Sequence, residues 1–473
     1  MAVHLTPLDL FWSVLLVSFS SLISILISNV QPAPYMDEIF HARQTHAYLA
    51  GNWSQWDQKL TTPPGTYLVF IAIYKLLAFF LGSSDLPAMV HLRCFTSVFS
   101  GINYLLITTI LRTTGRGSSN LMSLSIVTNP VLIFFSSLYY TDQCSLTFVL
   151  ATVYLSLLRC PKMSAFMCAC AITVRQTNVV WLLLSFSLLA GGELSILLFG
   201  FNGHFRFRAW IIILWRMCTM RPALTVSALR RILAGLFSHV LVALLFGAFL
   251  CWNGGIVLGD RTAHEASVHI PQLFYFATFC SLFTPVEYLF YCQLLFSSLK
   301  RTKRAPYKLL LYLSLATGLV GLIVFSLRFF SYTHPYLLAD NRHYTFYLWR
   351  RLLHRSQFQS YLLAPVYLIC LLFVGNAIWG HFLPMTLTDF LVNISFCLCT
   401  CFCLIPAKLL EPRYFITPYV IWRLRVSSRK ANYRSLLVEL SINCIVHALT
   451  VYVFVFRPFI WPQEPDTLQR FMW

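Results

Sequence analysis

Long apolar runs, almost free of charge, alternate with short polar segments from one end of the chain to the other. The first, Phe11–Val30, has about the 20 residues a helix needs to cross a bilayer. The pattern recurs at Leu92–Leu111, Leu121–Leu138, Gln143–Leu158, Met163–Val174, Asn178–Ala190, Ile232–Trp252, Gln272–Phe296, Leu309–Leu327, Tyr361–Trp379, Leu387–Ile405 and Leu437–Phe456. Three further runs, Tyr67–Leu81, Trp210–Met217 and Phe415–Trp422, are ambiguous. The pattern predicts an all-α polytopic membrane protein of about 12–14 transmembrane helices, forming one domain over residues 1–473. No repeat, low-complexity tract or soluble domain interrupts it.

Composition fixes the class. Only 11% of the 473 residues are charged and 58% are hydrophobic, with a mean hydropathy of +0.70; a soluble domain carries roughly 25% charged residues. The net charge of +19 does not point to nucleic acid, because the basic residues sit in short loops between apolar runs. Loops of that kind face the cytosol and its anionic lipids. They hold Arg112 and Arg116, Arg159 and Lys162, Arg230 and Arg231 within a basic insert at 200–231, Lys300 to Lys308, and Arg423 to Arg434. The alternate loops are mixed in sign and rich in His and aromatic residues, which places 31–91 and 328–360 on the other side. This alternation requires that Tyr67–Leu81 not cross the membrane, so that run is expected to be an interfacial or re-entrant helix started by Pro63-Pro64-Gly65. The first apolar run is long and lacks a small-residue cleavage site, so it reads as a retained span.

The fifteen cysteines form no C-x-x-C pair. Cys397, Cys399, Cys401 and Cys403 alternate, and alternate residues on a helix point about 200° apart, so at most two share a face. That is too few to hold a metal, and they read as buried small hydrophobes. A G-x-x-x-x-G-K-[ST] loop and an H-E-x-x-H pair are both missing, which argues against ATP-driven transport and zinc proteolysis.

Candidate chemistry gathers in four loops on the non-cytosolic side. The first carries the adjacent acids Asp37 and Glu38, then His41, Arg43, Trp56, Asp57 and Lys59. A paired acid beside a His at a membrane surface can take a proton from a sugar hydroxyl or hold a cation. The ordinary fate of such a pair is a solvated loop end, but Trp53, Trp56 and Thr61-Thr62-Pro63-Pro64-Gly65 make this loop too aromatic and too stiff for a connector. The second loop offers Tyr139, Tyr140 and Asp142 at a span end, where an acid is costly unless solvated or functional. The third is Arg175-Gln176-Thr177-Asn178. The fourth, His334 to Arg351, mixes aromatic faces that stack on sugar rings with Asp340 and Asn341 for hydroxyls and Arg342 and His343 for phosphate; an interfacial aromatic belt with snorkelling Arg is the alternative. Glu411-Pro412-Arg413-Tyr414 reads equally as a paired acid and base at a helix end. Asn52-Trp53-Ser54 is an N-glycosylation acceptor pattern.

Tyr35-Met36-Asp37-Glu38-Ile39-Phe40-His41, Trp56-Asp57 with Thr61-Thr62-Pro63, Arg175-Gln176-Thr177-Asn178, the run His334–Tyr347 and Gln469-Arg470-Phe471-Met472-Trp473 together resemble one family. It is the family of endoplasmic-reticulum α-1,2-glucosyltransferases that add the last glucose to the dolichol-linked N-glycan precursor, within the wider polytopic GT-C glycosyltransferase class. The matches run in order along essentially the whole chain; the 200–231 insert, and Asp142 where related chains can carry Glu, match least well. The resemblance implies dolichyl-phosphate-glucose as donor and a dolichyl-diphosphate oligosaccharide bearing two glucoses as acceptor. It further implies inversion in one displacement, a site in the endoplasmic-reticulum lumen within the membrane lipids, and no metal or other cofactor. By the same resemblance Asp37 is the general base and Glu38 orients it or the acceptor. Arg342, then His343 or Arg413, would meet the phosphate. His41, Trp56, Asp57, Asp142, Arg175, Gln176, Asn178, His334, Asp340, Asn341 and Tyr344 would line the substrates.

Two other classes compete. A secondary transporter would place ionisable residues near the bilayer midplane and show a repeat between its halves, whereas here Glu287 alone stands well inside a span. A non-catalytic membrane subunit could reuse the same fold. Within the enzyme class the rival is a sibling transferase that uses a mannose donor or adds an earlier glucose.

Overall fold

The computed structural model describes the chain except for residues 1–4, 83–85, 116–119, most of 200–221, 262–265, 303–304, 354–355, 381–385, 427–431 and 463. The greater part of the basic insert therefore lies outside the described residues. Its far end opens the long helix Pro222–Asn253.

Local signals start the first span. Thr6 and Asp9 form a capping box with Pro7 in the first turn of Pro7–Val30. The Asp9 carboxylate also accepts two bonds of 2.6 Å from Arg112 and one of 3.0 Å from Asn120. One acid thus ties together the start of the first helix, the end of Met89–Thr114 and the start of Asn120–Val127. The two long helices pack through small residues. A Cβ on Gly101 would come within 2.6 Å of Val17 and 2.8 Å of the Ser13 carbonyl, and Ser24 meets Ser97 at 3.0 Å. Apolar lipid gives no hydrophobic drive to helix association, so close backbone approach and hydroxyl contacts supply it.

Among the described residues, eight helices are long and apolar enough to cross a membrane, or nine if one sharply bent pair counts as a span. Three differences from the sequence pattern account for the smaller number. The run at 121–138 is broken: Asn129 caps a new turn at Pro130, its side chain accepting from the Val131 and Leu132 amides, so two short buried helices replace one long one. The run at 272–296 bends by 102° between Pro271–Leu282 and Pro285–Thr302, where Pro285 interrupts the backbone ladder. The helices Asp142–Leu157 and Pro161–Val174 are short, and they form a hairpin turned at Arg159, whose φ is 59°.

Span exteriors are apolar. On Pro306–Phe329, Leu310, Leu311, Leu313, Leu315 and Leu322 are all exposed, as lipid contact requires. The ambiguous run near 415 becomes Ile416–Val426, a helix buried along most of its length. It carries Arg423, fully buried between Glu439 at 2.8 Å and the half-exposed Glu287 at 3.2 Å. Glu287, the one acid expected inside a span, is therefore an ion-pair partner. The alternating cysteines follow one helix, Leu387–Leu404, with Cys399 buried and the other three half-buried.

Three pieces position the candidate site. The helices Glu38–Leu49 and Gly65–Leu81 share a small core of Ala42, Tyr48, Leu60, Tyr67, Phe70 and Tyr139. Gly65 lies so close to Pro161–Val174 that a Cβ there would stand 2.5 Å from the Thr173 carbonyl. The 328–360 segment folds as short turns, Pro335–Ala339 and Tyr344–Leu348 among them. Last comes an antiparallel hairpin, Phe459–Trp461 with Glu464–Gln469, whose end runs back across the 340s.

Candidate active site

Asp37 and Glu38 follow Met36, a non-glycine residue with φ 56°. Asp37 stands at the N-cap of a helix whose first residue is Glu38, and successive residues of a helix point about 100° apart, so the two carboxylates diverge. Glu38 points inward and is fully buried. Its two oxygens accept from Arg93 at 3.0 and 2.6 Å, from the Tyr139 amide at 2.8 Å and from the Tyr35 amide at 3.1 Å. Arg93, also fully buried, gives its remaining N–H groups to Ser28 and to the carbonyls of Gln31 and Ala33. Every strong valence of this pair is occupied, so Glu38 acts as the pin that holds residues 31–38 in place. The expected role of orienting an acceptor directly does not fit a side chain sealed from solvent.

Asp37 faces the other way. Its side chain keeps 45% of its surface accessible while lying 3.0 Å from Arg413. Arg413 is nearly enclosed, and the carboxylates of Glu411, Asp37 and Asp142 surround it, the last at 3.7 Å. Its guanidinium also stacks 4.7 Å from the Tyr140 ring and 5.1 Å from Phe135, a cation–π arrangement suited to Arg. Arg175 closes the group, 3.0 Å from Asp142 and bonded to the Thr141 hydroxyl at 2.8 Å. Three acids against two guanidinia leave one negative charge in excess.

The charges set the protonation states. Burial pushes the Asp37 carboxyl up, but Arg413, through its charge and its hydrogen bond, outweighs it and holds its pKa below the ordinary value. Burial would lower the Arg413 guanidinium; Glu411, Asp37 and Asp142 hold it well above the usual range. His41 is buried with Nδ1 2.6 Å from the Tyr67 hydroxyl and its ring edge-on to Tyr140. Burial brings its pKa down to about 4 against the opposing pull of Asp37. His41 is therefore neutral at physiological pH. The cluster offers an ionised, accessible carboxylate beside a guanidinium, which is the equipment for taking a proton from a hydroxyl next to an anionic group.

Other expected residues serve as braces. Gln176 donates to the Thr61 carbonyl at 2.7 Å, and Asn178 donates to the Ser145 hydroxyl and the Ala171 carbonyl, each at 2.8 Å. Trp56 donates to the Leu60 carbonyl, and the Asp57 carboxylate accepts from Arg43 and the Lys59 amide while the Asp57 amide donates to the Gln44 side-chain oxygen. His334 caps the turn at Tyr336. Arg342, the leading phosphate candidate by sequence, lays both prongs of its fork on Asp340 at 2.8 and 2.7 Å, bonds Gln469 at 3.0 Å, and stacks 4.9 Å over Trp461. With those donors engaged it braces the loop, and Arg413 is the guanidinium at the accessible carboxylate. Asn341 and Tyr344 are half-buried beside it. His343 has Nδ1 2.9 Å from the Trp473 main-chain oxygen.

The sequence reading missed Arg93. Its signal was present: an Arg in the first turns of an apolar span must find an acid, and Glu38 was the acid at hand.

The sequence profile of the DIE2/ALG10 family matches residues 31–424. The Dol-P-Glc:Glc(2)Man(9)GlcNAc(2)-PP-Dol alpha-1,2-glucosyltransferase of Mus musculus is 35% identical, covering 96% of each chain. The protein of that name from Homo sapiens is 34% identical over 96% of each chain. The one from Arabidopsis thaliana is 32% identical over 95% of this chain and 97% of its own. No solved structure matches.

Proposed function

The chain belongs to the DIE2/ALG10 family, and from that premise we propose that the Asp37 recess is the place of glucose transfer. The protein is a dolichyl-phosphate-glucose-dependent α-1,2-glucosyltransferase that acts on the diglucosylated, dolichyl-diphosphate-linked oligosaccharide. The observation that carries the site assignment is Asp37 itself: of the two adjacent acids, it alone is accessible, and it lies 3.0 Å from Arg413.

In the proposed reaction the acceptor hydroxyl oxygen attacks C1 of the donor glucose from the face opposite the phosphate. Its proton passes to Asp37, the C1–O bond to phosphate breaks, and dolichyl phosphate leaves with the electron pair. The β-linked donor becomes an α-linked product. Arg413 meets the phosphate oxygens, where charge grows as the bond breaks. Because the site carries one negative charge in excess, an arriving phosphate competes with Asp37 for that guanidinium. Taking Arg413 away from Asp37 makes the carboxylate a stronger base just when the donor is in place. Arg175 stays with Asp142 and keeps that second acid neutralised. His41, neutral and turned toward Tyr67, adds no charge to the recess.

The recess belongs to the loops whose charge puts them outside the cytosol, which supports an endoplasmic-reticulum membrane protein with a luminal site. Glycosylation acceptor sites engineered near residues 83 and 118 check this: the first is expected to be modified and the second not. The function itself is tested in cells lacking the protein. Lipid-linked oligosaccharide with two glucoses should accumulate, and the wild-type chain, but not Asp37→Asn, should clear it. Accumulation of a species with fewer glucoses would reassign the acceptor.

A further inference from the structure

Residues 469–473 bridge two loops that lie far apart in sequence. On one side Arg470 grips the base-bearing loop. Its amide donates to the Tyr35 hydroxyl at 2.8 Å, and that hydroxyl donates back to the Arg470 carbonyl at 2.7 Å. The Arg470 guanidinium bonds the Val30 carbonyl at 2.8 Å and the carbonyls of Phe454 and Val455 at 2.8 and 3.0 Å. On the other side the segment pairs with the 340s. The Met472 amide donates to the Arg342 carbonyl at 2.9 Å, the Tyr344 amide donates to the Met472 carbonyl at 3.0 Å, and Arg342 reaches Gln469 at 3.0 Å. Gln469, Arg470 and Met472 are all buried. A loose tail would leave such groups in water.

We propose that this segment is a positioning strap for catalysis, holding His343 in register with Asp37 and fixing its tautomer for the substrate. The proposal rests on the reading of the Asp37 recess as the transfer site. The chemistry of the contact is specific. A carbonyl oxygen only accepts, so the imidazole nitrogen facing Trp473 must carry the proton. Nδ1–H therefore donates to the strap, and Nε2 is left to accept a bond from a hydroxyl, or, once protonated, to donate one to a phosphate. Without the strap the ring loses the partner that selects this tautomer. The same segment holds Tyr35, whose amide is bonded to Glu38, one residue from the base. One strap thus ties together two loops, the His343 loop through Trp473 and the Asp37 loop through Tyr35. The strap residues are positioning residues; His343 is the group they present.

The test is a double-mutant cycle on the purified full chain with dolichyl-phosphate-glucose and the diglucosylated acceptor. Tyr35→Phe removes one oxygen and leaves the ring; Met472→Pro removes the amide that pairs with Arg342. Each is measured alone and combined with His343→Gln. Each strap variant is expected to lower kcat about tenfold or more, with acceptor and donor KM nearly unchanged, because Tyr35→Phe strands the Arg470 amide and carbonyl and Met472→Pro strands the Arg342 carbonyl. For Met472→Pro, the combination with His343→Gln should be no slower than the slower single variant, the mark of residues acting through one another. His343→Asn, which keeps an N–H at the Nδ1 position, should remain coupled to the strap. Multiplicative losses, or normal kcat in well-folded strap variants beside a slow His343→Gln, would overturn the strap and leave the Asp37 site standing. A normal His343→Asn, which lacks any group at the Nε2 position, would overturn the role given to His343, and the strap with it. A dead Asp37→Asn in the same assay keeps the site reading separate from both. Should Met472→Pro fail to accumulate, Tyr35→Phe carries the test, judged by whether kcat falls at unchanged KM.

Discussion

Two carboxylate–arginine pairs, one peptide bond apart at their acids, have opposite characters. Glu38 and Arg93 are sealed from solvent on both sides, with every donor and acceptor matched. Asp37 and Arg413 meet at 3.0 Å with the acid side chain 45% accessible, and Arg413 is shared among three carboxylates. Burial makes a salt bridge structural, because no other partner can compete and removing one member strands a charge. Access makes one functional, because a substrate can exchange for a partner. The roughly 100° step between adjacent residues at a helix start is what separates the two fates.

The largest effect should come from the open pair. Asp37→Asn keeps the shape and removes the proposed base, and single-turnover rates should fall about 100- to 10,000-fold while both substrates still bind. A nearly normal rate would move the base elsewhere, with Asp142 next in line.

The closed pair should respond in stability. Glu38→Gln leaves the Arg93 charge unpaired in the interior, which costs about 3–5 kcal/mol and should lower the detergent unfolding temperature or the yield of folded protein. Replacing both members, Glu38→Gln with Arg93→Met, should recover part of that loss. If Glu38→Gln folds as well as wild type and loses only rate, the distinction between the two pairs collapses.

A smaller effect tests the sharing of Arg413. Arg413→Lys loses the fork and the stacking on Tyr140, and should weaken donor use by about 10- to 100-fold. The pH profile adds a sign. Asp37 has its pKa depressed, so its ionised form, and the ion pair with Arg413, persist as pH falls through the ordinary carboxylate range and are lost only below it. In Arg413→Gln the burial that pushes the carboxyl up is no longer offset, so the acidic limb of kcat/KM should move to higher pH. An unmoved limb would mean that Arg413 does not set the basicity of Asp37.

The smallest effect is expected at Arg342. Its fork lies on Asp340, so Arg342→Lys should disturb the loop and reduce activity severalfold at most. A loss as large as that of Arg413→Lys would return Arg342 to the phosphate, as the sequence first suggested.

Much of this was legible in the chain. The apolar runs, the alternation of basic and mixed loops, and the acid pair in the first loop each follow from local rules. Polar backbone must be satisfied within a span, and cations collect on one side. Broken elements were less legible. Asn129-Pro130 and Pro285 are visible stops inside runs that hydropathy reads as continuous, and average hydropathy has no term for a capped or bent backbone. The site residues appeared as a list without partners. Asp142, Arg175 and Arg413 stand far apart in sequence, and nothing in it says that they share one cluster while Arg342 turns to its own neighbour.

By itself the sequence determined an all-α membrane protein, the loops in which its candidate residues gather, and the family. Composition, period and motif are local properties, and lipid leaves a chain few ways to satisfy its backbone. Only the tertiary structure decided which of two adjacent acids is accessible, which arginine each one meets, and that residues 469–473 return to brace the first loop. Those outcomes depend on distances between segments separated by hundreds of residues. A charge acquires its role from what packing places within a few ångströms of it.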